Sequence, residues 1–206
     1  MMECAGRRWR IPWFTFAQTA VVATVATVGM WHGLHARFVD ALSLNWHDLV
    51  MFQFYRLFTG TFVQTRTVLD WTILLMLLTF VPPYEVLRGW RRTALIFFLG
   101  DAISSAGAVV LFRLLGALGN ATALSWALEQ DSGASSGCFA ALGGLAVAAP
   151  RRWRPGAVLL GLGIHAFRLW FRGHEADYQH LAAWLVGIGL AFAVEQLWPP
   201  RIATDR

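Results

Sequence analysis

The chain has 206 residues, of which 57% are hydrophobic and only 14% charged, with a mean hydropathy of +0.51. A chain this apolar has too few polar groups to cover a water-facing surface, which excludes an ordinary soluble domain and calls for a bilayer as solvent. The net charge of +5 and a pI near 10.2 invite a nucleic-acid partner, but every basic side chain is an arginine in a short segment and no continuous basic face exists for nucleic acid to lie on.

Six apolar stretches, each long enough for a helix, are separated by polar punctuation at about 12–31, 68–84, 92–116, 134–149, 156–171 and 179–198. Backbone groups inside lipid must bond one another, so each stretch is expected to be helical and to span. The first follows Arg7, Arg8 and Arg10 and ends at His32 and His35 without a small-residue cleavage site, so it reads as a retained helix rather than a signal peptide. Residues 36–67 are too interrupted by charge to span, yet carry Trp46, Phe52, Phe54, Tyr55, Phe58 and Phe62. That mixture fits an amphipathic element lying in the interface.

Arg88, Arg91 and Arg92 follow the second stretch, Arg151, Arg152 and Arg154 the fourth, and Arg201 the sixth. The positive-inside rule then places all these clusters and both termini on the cytoplasmic side. Cys4 and Cys138 offer no disulfide framework. The halves do not repeat each other, as an inverted-repeat transporter would require, and residues 1–206 are expected to form one all-α membrane domain.

Chemistry concentrates at two helix starts. Gly133-Ala134-Ser135-Ser136-Gly137-Cys138-Phe139-Ala140-Ala141-Leu142-Gly143 opens the fourth stretch, and His180, followed by Ala183 and Gly187, opens the sixth. Both helices run inward from the external side, so Ser135 and His180 lie at similar depth. Small residues along both allow close approach. A hydroxyl beside an imidazole is the minimum unit of nucleophilic catalysis, with the imidazole as general base and the positive helix end facing the developing oxyanion. A second pair, Asp101 and His165, also lies at matching depth and offers an alternative, a proton-carrying site of the kind found in carriers.

The run from Gly133 to Gly143 resembles the Gly-x-Ser-Gly segment and following Phe-Ala-x-Leu-Gly of the rhomboid family of intramembrane serine proteases. His180 to Gly187 is similar to that family's His-x-x-Gly-x-x-x-Gly helix, Tyr55-Arg56 to its Trp-Arg motif, and Glu85-x-x-x-Gly89 to its signature at the end of the second span. The resemblance implies a rhomboid-like bundle of six transmembrane helices in a membrane, expected to be a bacterial cell membrane. It implies Ser135 as nucleophile and His180 as base, Phe139 packed on the histidine, and transmembrane or juxtamembrane segments of other membrane proteins as substrates, with no cofactor and no metal. Ser136 stands where the family has glycine, which leaves the adjacent serine as an alternative nucleophile, although Ser135 alone keeps the downstream spacing. The family's oxyanion histidine and asparagine fall on Leu69 and Ile73, neither of which donates a hydrogen bond; Gln64, Asp70 and Thr72 are the nearby polar substitutes. This departure favours the alternative function, a catalytically inactive rhomboid-like protein that binds transmembrane segments for quality control or assembly.

Overall fold

A backbone denied water satisfies its own polar groups most directly as helix. The computed structural model describes residues 11–64 and 70–198. Its helices are α1 (Trp13–Trp31), α2 (His35–Leu42), α3 (Trp46–Val50), α4 (Arg56–Thr59), α5 (Trp71–Arg88), α6 (Trp90–Ala117), α7 (Ala121–Leu128), α8 (Ser135–Ala148), α9 (Arg154–Phe171) and α10 (Glu175–Leu197). A 3-10 turn, Gly60–Phe62, follows α4. The described residues contain no strand, only an isolated antiparallel bridge between Leu44 and Asp131.

Among the described residues each of the six apolar stretches contains a helix, and four of the helices, α1, α5, α6 and α10, are long and apolar enough to cross a membrane. The 14 residues of α8 reach about 21 Å at 1.5 Å per residue, short of a hydrocarbon core about 30 Å thick. Helix α9 carries Arg154 and Arg168 among its 18 residues, and His165 is its buried side chain. Leu159, Leu160, Ile164, Phe167, Trp170 and Phe171 on α9 are all exposed, an outward apolar face that needs an apolar solvent. Among the described residues the protein is thus all-α with four candidate membrane spans.

Several boundaries differ from the sequence expectation for identifiable reasons. Helix α5 runs through Pro82 and Pro83 to Arg88, because in apolar surroundings packing can hold a helix that proline would end in water. Helix α10 starts at Glu175, four residues early, because His174 and Asp177 form a reciprocal capping box at its N-terminus. The segment expected as one interfacial element breaks into α2, α3, α4 and the 3-10 turn, with Phe52, Phe54, Tyr55 and Phe58 exposed. Helix α7, read as loop from the sequence, is capped by the Asn120 side chain, which accepts from the Ala123 N–H.

The core forms where small residues let helices touch. Helix α8 lies between α5, α6 and α10, and most of its side chains are buried. A Cβ added at Gly143 would strike the Trp184 carbonyl oxygen, and one at Gly187 would strike the Ala140 backbone. Glycine at these positions therefore sets the α8–α10 separation. At one end of the bundle Arg88 pairs with Glu195 at 2.6 Å and Arg154 approaches the same carboxylate at 3.8 Å, gathering α5, α9 and α10. The N-termini of α8 and α10 lie at the opposite end. The α1 start is held on α5 by Glu85, whose carboxylate accepts from the Phe14 and Thr15 N–H groups and the Thr15 hydroxyl at 2.8–2.9 Å.

Candidate active site

The loop before α8 is built from residues distant in sequence. The Asp131 N–H donates to the Leu44 carbonyl at 2.7 Å, Leu44 returns the bond at 2.9 Å, and the Gly133 N–H donates to the Gly60 carbonyl at 2.9 Å. Gly133 has φ +109°, a conformation that costs a side-chain-bearing residue dearly, and it turns the chain into α8 at Ser135. Arg56 braces this arrangement from below: its guanidinium donates to the Ser43 and Asp40 carbonyls and to Gln53, with Asp48 at 3.5 Å. Arg56 is therefore structural. Asp131 accepts from Gln179 Nε2 at 2.7 Å and from the Ser105 hydroxyl. Burial pushes the Asp131 carboxyl above the usual carboxylate range, an effect those hydrogen bonds partly offset.

Two helix starts meet at the dyad. Ser135 Oγ lies 2.9 Å from His180 Nε2, within hydrogen-bond reach. The serine that faces the imidazole is Ser135, while Ser136 is buried in the packing of α8. The Phe139 ring, one turn into α8, stacks on His180 with centroids 4.3 Å apart and planes 27° from parallel, limiting rotation of the imidazole. On its other nitrogen, Nδ1, His180 meets Arg168 Nη2 at 3.0 Å. Arg168 also lies over the Phe139 ring and is held by the buried Asp177 carboxylate, at 2.7 Å from Nη2 and 2.9 Å from Nε. The four side chains form a continuous chain: carboxylate, guanidinium, imidazole, hydroxyl.

Ser135 and His180 line a cavity of about 480 Å³ together with Gln64, Ile73, Arg168 and Gln179. Leu69 lies outside the described residues; Ile73 does line the cavity and offers it no donor. The polar substitutes differ in what they have left to give. Asp70 accepts from both the N–H and the hydroxyl of Thr72, so these two side chains are bonded to each other. Gln64 is 5% exposed, accepts from the Asp70 N–H through Oε1, and its Nε2 has no partner among the described residues. A buried amide donor left unpaired is costly. Ala134 offers α8 no side-chain cap; the Asp101 carboxylate accepts from the Gly137 N–H, and the Ser135 and Ser136 N–H groups are the helix-terminal amides beside the serine.

Asp101 and His165 do not form the pair that their matching depths suggested. Asp101 sits under the start of α8, near the Gly137 N–H and Asp131, whereas His165 packs against the Phe139 and Trp184 rings with Nδ1 unpartnered. Depth along a helix does not specify which face a side chain takes. Among the described residues no three His, Cys, Asp or Glu side chains converge as a metal site. Arg168, Asp177 and Gln179 join the candidate site through these contacts, and the sequence reading did not select them. A signal existed for Arg168, since an arginine within an apolar stretch requires a partner. Comparison with protein-family models, curated proteins and solved structures finds no match to this chain.

Proposed function

We propose that this chain is a rhomboid-like intramembrane serine protease that cleaves transmembrane or juxtamembrane segments of other membrane proteins with a Ser135–His180 dyad. The observation that carries the proposal is the 2.9 Å contact between the Ser135 hydroxyl and His180 Nε2, both of which line a cavity. In the reaction the Ser135 oxygen attacks the scissile carbonyl as its proton passes to Nε2, and the imidazolium then protonates the departing amine. Water, deprotonated by the same nitrogen, hydrolyses the acyl-enzyme and restores the serine. The amides at the α8 N-terminus and Gln64 Nε2 are the donors for the oxyanion, in place of the side chains absent at Leu69 and Ile73.

The same proposal takes the bundle as six membrane helices, α1, α5, α6, α8, α9 and α10, with the short α8 enclosed by its neighbours. Both termini and the arginine-rich end holding Arg88, Arg92 and Arg154 face the cytoplasm, and the dyad lies toward the external face, where water reaches it. In a reporter assay with a single-pass substrate, Ser135→Ala and His180→Ala should each abolish cleavage. Persistent cleavage by either variant removes this mechanism.

A second reading, an inactive rhomboid-like protein that binds transmembrane segments, is favoured by the apolar Ile73 on the cavity wall and by the arginine on His180 Nδ1. A fluorophosphonate probe separates the two. Labelling that depends on Ser135 supports the protease, and absence of labelling with segment binding intact supports the inactive binder.

A further inference from the structure

A histidine that serves a serine as general base needs a bare Nε2, and in a serine–histidine–aspartate triad the carboxylate secures this by accepting the Nδ1–H. Here the group at Nδ1 is a guanidinium, 3.0 Å away. Guanidinium has only donors and stays charged at any relevant pH. Nδ1 must therefore be the acceptor, and the single proton of the neutral ring sits on Nε2, where it donates to Ser135 Oγ. The imidazolium form is worse still, since it would set an N–H against a cation.

We infer that Arg168 is a positioning residue that holds the dyad latent: it fixes His180 in the tautomer protonated at Nε2, and turnover requires Arg168 to leave Nδ1. The catalytic consequence rests on the proteolytic reading above; the tautomer itself does not. The latch is held on several sides. Asp177, 1% exposed, binds two nitrogens of the Arg168 guanidinium, and Arg172 reaches the second oxygen of that carboxylate at 3.9 Å. Below, the Phe139 ring carries both Arg168 and the imidazole on its surface. Asp177 is thus one side chain removed from the place a triad carboxylate takes, and the interposed arginine reverses the proton's position. Because Arg168 lines the same cavity that a substrate segment would fill, a substrate that displaces it frees Nδ1 to take the proton and Nε2 to accept one. Nothing is consumed in this step; a proton changes nitrogen through water, and an arginine contact is exchanged.

The test is the nitrogen-15 spectrum of the imidazole in the full-length protein in detergent at neutral pH, with the His180 signals assigned by their loss in His180→Gln. The expected result is a protonated Nε2 and a bare Nδ1. Arg168→Lys, again only a donor, keeps that tautomer. Arg168→Glu, whose carboxylate can only accept and so takes Nδ1–H, moves the proton to Nδ1 and raises the fluorophosphonate labelling rate of Ser135 by about tenfold or more, against the roughly 10⁴-fold that a wrong tautomer costs a triad. A wild-type ring protonated at Nδ1 overturns the inference even if every variant fails to fold. So does an Arg168→Glu protein with an unchanged tautomer. A tautomer that shifts as expected while Ser135 stays unlabelled upholds the latch and instead refutes the proteolytic reading.

Discussion

The α8–α10 contact that brings Ser135 to His180 makes a quantitative prediction at Gly187. Its missing Cβ is the space occupied by the Ala140 backbone, carbonyl carbon and oxygen included. Backbone cannot rotate away as a side-chain tip can, so Gly187→Ala must push the helices apart. Restoring an ordinary contact of about 3.5 Å opens the pair by roughly 1 Å. Gly187 lies seven residues from His180, two turns or about 10 Å along the same helix, so most of that displacement reaches the dyad. The 2.9 Å contact then stretches to about 4 Å, beyond hydrogen-bond reach.

Two consequences follow for measurement. Overpacking costs about 1–3 kcal/mol, while replacing a mid-helix glycine returns up to about 1 kcal/mol of helix propensity. Gly189→Ala is the control, because its Cβ would meet open space and it gains the same propensity. Gly187→Ala should therefore be less stable than Gly189→Ala by about 1–3 kcal/mol in reversible unfolding in detergent. Its Ser135 labelling should fall by on the order of 10², the usual penalty for an ångström of misplacement. Equal stability and equal labelling in the two variants would refute the claim that glycine spacing sets the dyad geometry.

Gln64→Ala should lower substrate cleavage by about 10² to 10³ while leaving the His180 tautomer unchanged, the signature of a lost oxyanion donor; an unaltered rate removes Gln64 from the site. Glu85→Gln keeps the shape of the α1 anchor but loses a charged acceptor serving three donors. It should cost about 1.5–3 kcal/mol in thermal unfolding without slowing Ser135 labelling per folded molecule. For Asp131 the folded state raises the carboxyl above its unfolded value, so the folded protein binds the proton more tightly. Its stabilising contribution is complete below about pH 4 and is lost as pH rises through the folded value. Asp131→Asn should remove that decline, read as the difference between the two unfolding-versus-pH curves; parallel curves would show that burial does not perturb this group.

Much of the helical plan was legible because apolar length is a local property. The first, third, fourth and fifth stretches match α1, α6, α8 and α9 to within two residues at either end. The misses share a cause, namely groups that act across the chain or through a cap. The continuation of α5 past Pro82 and Pro83 depends on neighbouring helices. The early start of α10 depends on a histidine accepting at the N-terminus, a residue rarely counted among capping side chains. Ser135 and His180 were found because both helix starts were polar interruptions of apolar runs, and inward helices leave such groups at like depth. The Asp101–His165 pairing used the same depth argument and failed, since the residues point to different neighbours.

From the sequence alone came the class of solvent, the positions of the six helices, and the two side chains worth pairing. These depend on composition, periodicity and the cost of polar groups in lipid, all readable along one dimension. Tertiary structure decided which face each side chain presents: that Ser135 rather than Ser136 meets the imidazole, that residues 44 and 60 hold the loop before Ser135, and that an arginine occupies the nitrogen where a triad keeps a carboxylate. The physical reason is that tautomer and hydrogen-bond partner are set by atoms within about 3 Å, and those atoms come from segments that sequence spacing does not relate.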